Sequence, residues 1–174
     1  TFETRKPKDQ FTLEEMTSAL NEAIRLTSKS QILMTAMLLE IDFEARKLSY
    51  INCSHEPLLK ITAAPDKKNC EYFMEPNNFR IGQQSVTEYQ RASIDIAPGD
   101  LLFLYTDGLT NQKNEKDKEF GDRRLTKILT ASDGNSKQQI SAQSLNSQLM
   151  SQWQEHRRNT PPEDDVTLVA LRIL

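Results

Sequence analysis

Two acidic elements, Thr106-Asp107-Gly108 and Asp164-Asp165-Val166-Thr167, each abut an apolar run with strand character. Leu101 to Tyr105 precedes the first, and Val166 to Leu171 overlaps and follows the second. If these runs lie side by side and antiparallel, the end of one sits next to the start of the other. Asp107 and Asp164 then meet at the same edge of a sheet. Crowded carboxylates repel unless a cation neutralises them. A cluster of hard oxygens suits Mg²⁺ or Mn²⁺ better than zinc. The residues alone therefore point to a metal-assisted site.

The rest of the chain is compatible with that reading and excludes several others. Its 174 residues suffice for a single domain spanning 1–174 with a substantial core. A hydrophobic fraction of 37% and a charged fraction of 27% describe a globular protein, and the net charge of −3 gives no nucleic-acid footprint. No apolar stretch approaches the length of a membrane span and no signal peptide is visible, so no membrane contact is expected. Cys53 and Cys70 are too few for a disulfide framework, which favours a reducing, cytoplasmic setting. The opening residue is Thr1 rather than Met, which leads us to expect a fragment of something longer.

Residues 1–10 read as a polar, basic lead-in without periodicity. Thr12 and Glu15 have capping-box spacing, and Leu13, Met16, Leu20, Ala23 and Ile24 recur at helical intervals, predicting a helix from Thr12 to Leu26. Strands are expected at Ile32–Phe43 and Leu48–Cys53, joined as a hairpin, and at Leu58–Thr62 and Cys70–Met74, split by the loop Ala64 to Asn69. Pro76 to Gln84 reads as loop, Thr87–Ile94 as a strand, and Pro98-Gly99-Asp100 as the turn into the Leu101 strand. Helices are expected at Arg123–Thr130 and Gln138–His156, the latter with Ile140, Leu145, Leu149 and Trp153 inward. The charged run Lys113 to Lys118 should be solvated, with Phe120-Gly121 plugging that loop back onto the body. The sum is an α+β fold, an antiparallel β-sandwich core flanked by helices.

Four segments then carry a likeness to a known group. They are Leu48 to Pro57, ending in Asn52-Cys53-Ser54-His55-Glu56-Pro57; Pro98 to Thr110, containing Asp107-Gly108; Glu119-Phe120-Gly121 with Arg124-Leu125; and Asp164 to Val169. In this order they resemble the bacterial metal-dependent protein phosphatases of the PPM type, in the branch typified by the stage II sporulation and stress-response phosphatases. The likeness runs from about Leu20 to the last residue. Extended Asp164 and Asp165 would point in opposite directions, so at most one is a direct ligand; the resemblance assigns that part to Asp164. It implies Asp107, Gly108 and Asp164 as metal ligands for Mn²⁺ or Mg²⁺, two ions in the intact domain, bridging and acidifying a water that attacks phosphorus in line. Asp165, Asn52 and His55 would support these ligands from behind. The implied substrate is a phosphorylated regulatory protein such as an anti-sigma-factor antagonist, hydrolysed at phosphoserine or phosphothreonine, and an upstream sensor or receiver region is implied as well.

Departures from the family pattern matter. Cys53-Ser54 stand where the family has Ala-Gly, Glu56 where it has Pro, and Asn111 where a Glu commonly follows. Nothing in residues 1–10 matches the family's first metal motif, so the expectation is a domain that lacks it and is weakly active or inactive alone. A degenerate phosphatase fold acting as a protein-binding module in partner switching is the alternative. A haloacid-dehalogenase-type site is a third reading, discounted because Tyr105 stands where its nucleophilic Asp should be.

Other residues admit a plainer reading. Asn52 and His55 can serve as ties for a turn, Asp100 as a turn residue, and His156 and Trp153 as parts of a helix face. Cys53 and Cys70 read as packing residues, because no His/Asn constellation accompanies them.

Overall fold

Thr12 opens the first helix as its spacing with Glu15 predicts. Its Oγ1 accepts a hydrogen bond from the Glu15 N–H at 3.1 Å, while Glu15 Oε2 accepts from the Thr12 N–H at 2.8 Å. The computed structural model describes residues 11–29, 31–62, 69–85, 88–131 and 141–174. Its elements in chain order are α1 (Leu13–Thr27), β1 (Ala36–Asp42), β2 (Lys47–Cys53), β3 (Leu58–Thr62), β4 (Asn69–Phe73), β5 (Ala92–Asp95), β6 (Leu101–Tyr105), α2 (Asp122–Thr130), α3 (Ala142–Arg157) and β7 (Leu168–Arg172). The lead-in 1–10, the loop residues 64–68, Thr87, and the Gln138 start of the last helix with Ile140 lie outside the described residues.

The chain divides into two compact units. The first comprises Thr1–His55 and Glu75–Asp95. It holds an antiparallel sheet in the order β1-β2-β5, with Ala36 opposite Cys53 and Leu48 opposite Ile94. Leu13, Leu20 and Ile24 of α1 cover Ile51 and Cys53 of β2 and Ala36 and Leu38 of β1. The helix departs from its expected inner face at two positions: Met16 is 52% exposed and Ala23 is exposed too, while the polar Thr17 and Asn21 are buried. Both are satisfied, which is what permits their burial. Thr17 Oγ1 donates to the Leu13 carbonyl at 2.7 Å. The Asn21 amide accepts from the Gly82 N–H at 2.7 Å and donates to the Gln84 carbonyl at 3.0 Å. Gly82 has φ +89°, and a Cβ there would fall 2.7 Å from the Ile32 carbonyl oxygen, so the clamped turn needs a glycine.

β7 begins at Leu168, two residues later than expected, and two other strands are much shorter than expected, for visible reasons. β1 starts at Ala36 rather than Ile32, because Met34 forms an isolated bridge with Ile81, and Phe43 turns out to solvent. β5 starts at Ala92, because Gln90 is committed elsewhere: its N–H donates to Asn78 Oδ1 at 2.7 Å and its carbonyl accepts from Asn78 Nδ2 at 3.0 Å.

The second unit comprises Glu56–Met74 and Ile96–Leu174. Its sheet runs β4-β3-β6-β7, antiparallel throughout. Alternation puts Leu59, Ile61, Leu101, Phe103, Tyr105, Leu168 and Ala170 on one face. Leu125, Ile128 and Leu129 of α2, with Leu145, Leu149 and Trp153 of α3, close over that face. Phe120 joins the same core, as the sequence led us to expect. The α+β class therefore holds, with two antiparallel sheets among the described residues.

Asp100 is more than a turn residue. It is 2% exposed, its Oδ2 accepts from the Ala97 N–H at 3.0 Å, and Lys60 Nζ lies 3.4 Å away. Removing one member of a buried pair strands the other charge in a poor solvent, a loss of about 3 kcal/mol. Asp100→Ala should lower the unfolding free energy by that order, and Asp100→Asn, which keeps an acceptor for Ala97, by less. Urea unfolding of the two variants checks the ranking.

Candidate metal site at the β6–β7 edge

β6 and β7 pair with Tyr105 opposite Leu168, so the chain leaving β6 and the chain entering β7 continue beside each other. Thr106 fastens them. Its N–H donates to the Thr167 carbonyl at 3.2 Å, its Oγ1 accepts from the Thr167 N–H at 2.9 Å, and the same hydroxyl donates to the Asp165 carbonyl at 3.0 Å. Gly108 brings the backbones closer still. A Cβ at that position would lie 2.4 Å from the Asp165 carbonyl oxygen and 3.3 Å from the Asp164 carbonyl carbon. Real Cβ atoms do not approach that closely, so only glycine fits without a shift.

The segments bearing Asp107 and Asp164 are thus brought together, and both residues are solvent-exposed. Asp164 Oδ1 accepts from the Asp165 N–H at 2.7 Å, which orients that carboxylate against its own backbone. Asp165 is also exposed, and its carbonyl is the group that Thr106 holds. Among the described residues no three His, Cys, Asp or Glu side chains are gathered closely enough to enclose a metal ion. The donors present are carboxylate and backbone oxygens, the chemistry that Mg²⁺ or Mn²⁺ prefers. They fit such an ion in kind.

Asn52 and His55 belong to the first unit. Asn52 is fully buried; its Oδ1 accepts from the His55 N–H at 2.8 Å and its Nδ2 donates to the His55 carbonyl at 3.2 Å. They close a turn at the end of β2, as the plainer sequence reading has it.

Two carboxylates at the Tyr105 end of β6, Glu56 and Asp122, escaped the sequence reading as site groups. Half-buried Glu56 interacts with Asp122 and Asp107. Burial, then those two negative charges, pushes its carboxyl upward from the ordinary range, while a hydrogen bond with Tyr105 works the other way. Tyr105 in turn donates to Asp122 Oδ1 at 3.2 Å. Glu56 was visible in the sequence as a departure from the family's Pro, but its proximity to Asp107 depends on the sheet. The thiols of Cys53 and Cys70 are both pushed up to about 11, chiefly by burial, so neither is a nucleophile near neutral pH.

α3 holds the segment that follows Asp107. Trp153 Nε1 donates to the Leu109 carbonyl at 3.2 Å. His156 is buried, and its Nε2 faces the carbonyls of Lys118 at 3.0 Å and Gln112 at 3.3 Å. Its Nδ1 faces Arg124 Nη1, which can only donate. The ring is therefore neutral, with its hydrogen on Nε2. Phe120 stands edge-on to it at a centroid distance of 5.5 Å.

Comparison with known proteins converges on one group. A family profile described as stage II sporulation protein E (SpoIIE) matches residues 2–174. Protein IcfG of Synechocystis sp. is 31% identical over 91 residues, covering 52% of this chain and 14% of that protein. Phosphoserine phosphatase RsbP of Bacillus subtilis is 26% identical over 97 residues, covering 56% of this chain and 23% of that protein. The chain thus spans under a quarter of either curated relative. Among solved structures, the SiaA-PP2C domain of Pseudomonas aeruginosa matches with TM-score 0.73 at 21% identity, over 92% of this chain and 60% of that one. The Mn-presoaked phosphatase domain of SpoIIE from Bacillus subtilis matches with TM-score 0.58 at 19% identity, over 89% and 61%. These likenesses show the fold, and with it the α+β antiparallel sandwich class expected from the sequence. No helix among the described residues is long and apolar enough to cross a membrane.

Two outcomes follow for this edge. Gly108→Ala should force the acidic segments apart and lower the unfolding free energy by about 2 kcal/mol, the usual scale of overpacking, measurable by urea unfolding. His156 is held below its ordinary value by burial and then by the Arg124 charge, against the two carbonyls. The unfolded chain therefore takes up this proton first as pH falls, so the contribution is complete above the ordinary His value and is lost on acidification toward the lower folded value. Unfolding free energy should fall as the pH drops below the ordinary His value of about 6.5, and His156→Gln, whose amide can still donate to a carbonyl, should flatten that slope.

Proposed function

Because the chain belongs to the stage II sporulation protein E (SpoIIE) family, we propose that it forms the larger part of a Mg²⁺- or Mn²⁺-dependent serine/threonine phosphatase domain acting on a phosphorylated regulatory protein. One observation carries this reading: the β6–β7 pairing and the Gly108 contact bring the Asp107 and Asp164 segments together at one sheet edge. The alternation of strands and turns requires no such juxtaposition of acids. Exposed carboxylate and backbone oxygens gathered at one edge suit a hard divalent cation.

Asp107 and Asp164 would hold the ion, with the Gly108 backbone oxygen as a further donor. When bound, the metal supplies positive charge for the phosphoryl oxygens and lowers the pKa of water. The chain's own groups prepare the site. Thr106 fixes the Asp165 carbonyl, and the Asp165 N–H orients the Asp164 carboxylate. The support comes from donor chemistry, from the Mn-presoaked SpoIIE relative, and from the phosphoserine phosphatase RsbP. The elevated cysteine thiols argue against a thiolate route. Additional carboxylates are needed to complete the ligand set, and the sequence resemblance puts the first metal motif upstream of α1. We place the domain in the cytoplasm, with an upstream sensor or receiver region.

The departures at Cys53-Ser54 and Asn111, together with the incomplete ligand set among the described residues, favour a second reading, a phosphatase fold retained as a protein-binding module. A phosphoserine-peptide assay with Mn²⁺ on the full-length protein separates the two. We expect metal-dependent hydrolysis that Asp107→Asn reduces by roughly 100-fold with folding intact, at least the loss seen when metal-supporting residues are removed. Turnover unchanged in the variant would remove Asp107 from the site, and no turnover in the wild type would favour the binding module.

A further inference from the structure

Gln112 is buried to 1% exposure, an unusual place for a carboxamide in a turn of charged residues. Its side chain links the turn that follows the first acidic element to the arm that leads into the second. Nε2 donates to the Lys113 carbonyl at 2.8 Å and to the Pro161 carbonyl at 3.2 Å, and Oε1 accepts from the Glu163 N–H at 3.2 Å. Its backbone is tied on the other side: its carbonyl accepts from the Phe120 N–H at 2.9 Å, and His156 Nε2 faces the same oxygen. The preceding Asn111 N–H donates to the Asp107 carbonyl at 2.8 Å, which anchors this turn to Asp107 itself.

The partner segment suits such a grip. Pro161 and Pro162 have fixed φ and no N–H, so the arm leading to Asp164 is stiff and the Glu163 N–H is the first donor after it. One carboxamide takes the carbonyl before the second proline and the N–H after it. Asp164 is the next residue. A side chain with only a donor or only an acceptor could not make both bonds.

We propose that Gln112 is a positioning residue that sets the separation of Asp107 and Asp164, and so the metal affinity of the edge. The proposal rests on the reading of those two carboxylates as ligands. Gln112 touches neither carboxylate nor substrate; it acts by holding the Pro161–Glu163 arm against the turn that carries Asp107. The sequence offers no motif for it, since position 112 only follows the family's Asp-Gly-x-Thr element.

The test is Mn²⁺ titration of the full-length protein by calorimetry, with amide hydrogen exchange at Glu163 as a metal-free readout. Gln112→Met keeps the side-chain length but neither amide function. Gln112→Asn keeps both functions on a shorter stem and substitutes for it should the first variant fail to fold. Trp153→Phe is the control, because it cuts the tie to the Leu109 carbonyl and leaves the Pro161–Glu163 arm alone. We expect the Gln112 variants to bind Mn²⁺ about tenfold more weakly, the scale of groups that orient metal ligands, and to lose protection at Glu163. Trp153→Phe should lose stability and keep its affinity. Wild-type affinity in the Gln112 variants, alongside weakened binding in Asp107→Asn, overturns the positioning role and leaves the metal site standing. Equal loss in Trp153→Phe reduces Gln112 to general stability and also overturns it. Asp107→Asn binding as well as wild type removes the metal reading, and the proposal with it.

Discussion

The register of β6 on β7 is the constraint on which the acidic edge depends. Pairing Tyr105 with Leu168 places Thr106 beside Thr167, and Thr106 then satisfies both the Thr167 backbone and the Asp165 carbonyl. A slip of one residue would turn Leu168 and Ala170 away from α2 and α3 and carry Asp164 out of reach. The apolar face resists that slip. Burying a single aliphatic side chain is worth about 1.5–3 kcal/mol, whereas each hydrogen bond at the edge contributes on the order of 1 kcal/mol. Register is set by the core, and the edge inherits its geometry.

What the core delivers, a second layer of polar contacts refines. The turn following Asp107 would be a solvated excursion if judged on charge alone, and its outer residues are: Lys113 and Asp117 pair in the open at 3.2 Å. Its inner carbonyls are claimed by α3 instead, at Leu109 by Trp153 and at Gln112 and Lys118 by His156. These bonds cross buried space, where an orphaned carbonyl costs more than a made bond gains. Loss of one donor therefore costs stability at the carbonyl it leaves. That is why a neutral His156, rather than a charged one, suits this place beside Arg124.

How far the sequence reveals this differs by level. The capping box at Thr12, the alternation through β6 and the turn at Pro98-Gly99-Asp100 are local signals, and the structure honours them because short-range geometry decides them. The inward face of α3 was equally legible in Leu145, Leu149 and Trp153. α1 misled at Met16, because a helix that buries Asn21 to clamp Gly82 and Gln84 follows a partner the periodicity does not encode. β5 was overdrawn because Asn78 captures Gln90, a bond between distant residues. The meeting of the Asp107 and Asp164 segments was foreseeable, since each lies within four residues of its strand. Gln112 and Glu56 were not, because their partners come from other strands and turns. Sequence exposes what a residue does to its neighbours in the chain, and hides what the sheet brings to it.

The contrast between Asp100 and the edge carboxylates explains how the second unit carries acidic groups of opposite use. Asp100 is sealed from water, so it must be paired, and Lys60 with the Ala97 N–H does this. A carboxylate so engaged is no longer available to a ligand. Asp107 and Asp164 stay exposed, where solvent and salt screen their charges. Their segments are held by backbone and hydroxyl contacts at Thr106, Gly108 and Gln112 rather than by the carboxylates themselves. Structural duty falls mainly on those contacts, with the Asp164 carboxylate held by the adjacent Asp165 N–H. In the proposed metal site, a cation would therefore bind without a change in the strands that carry it.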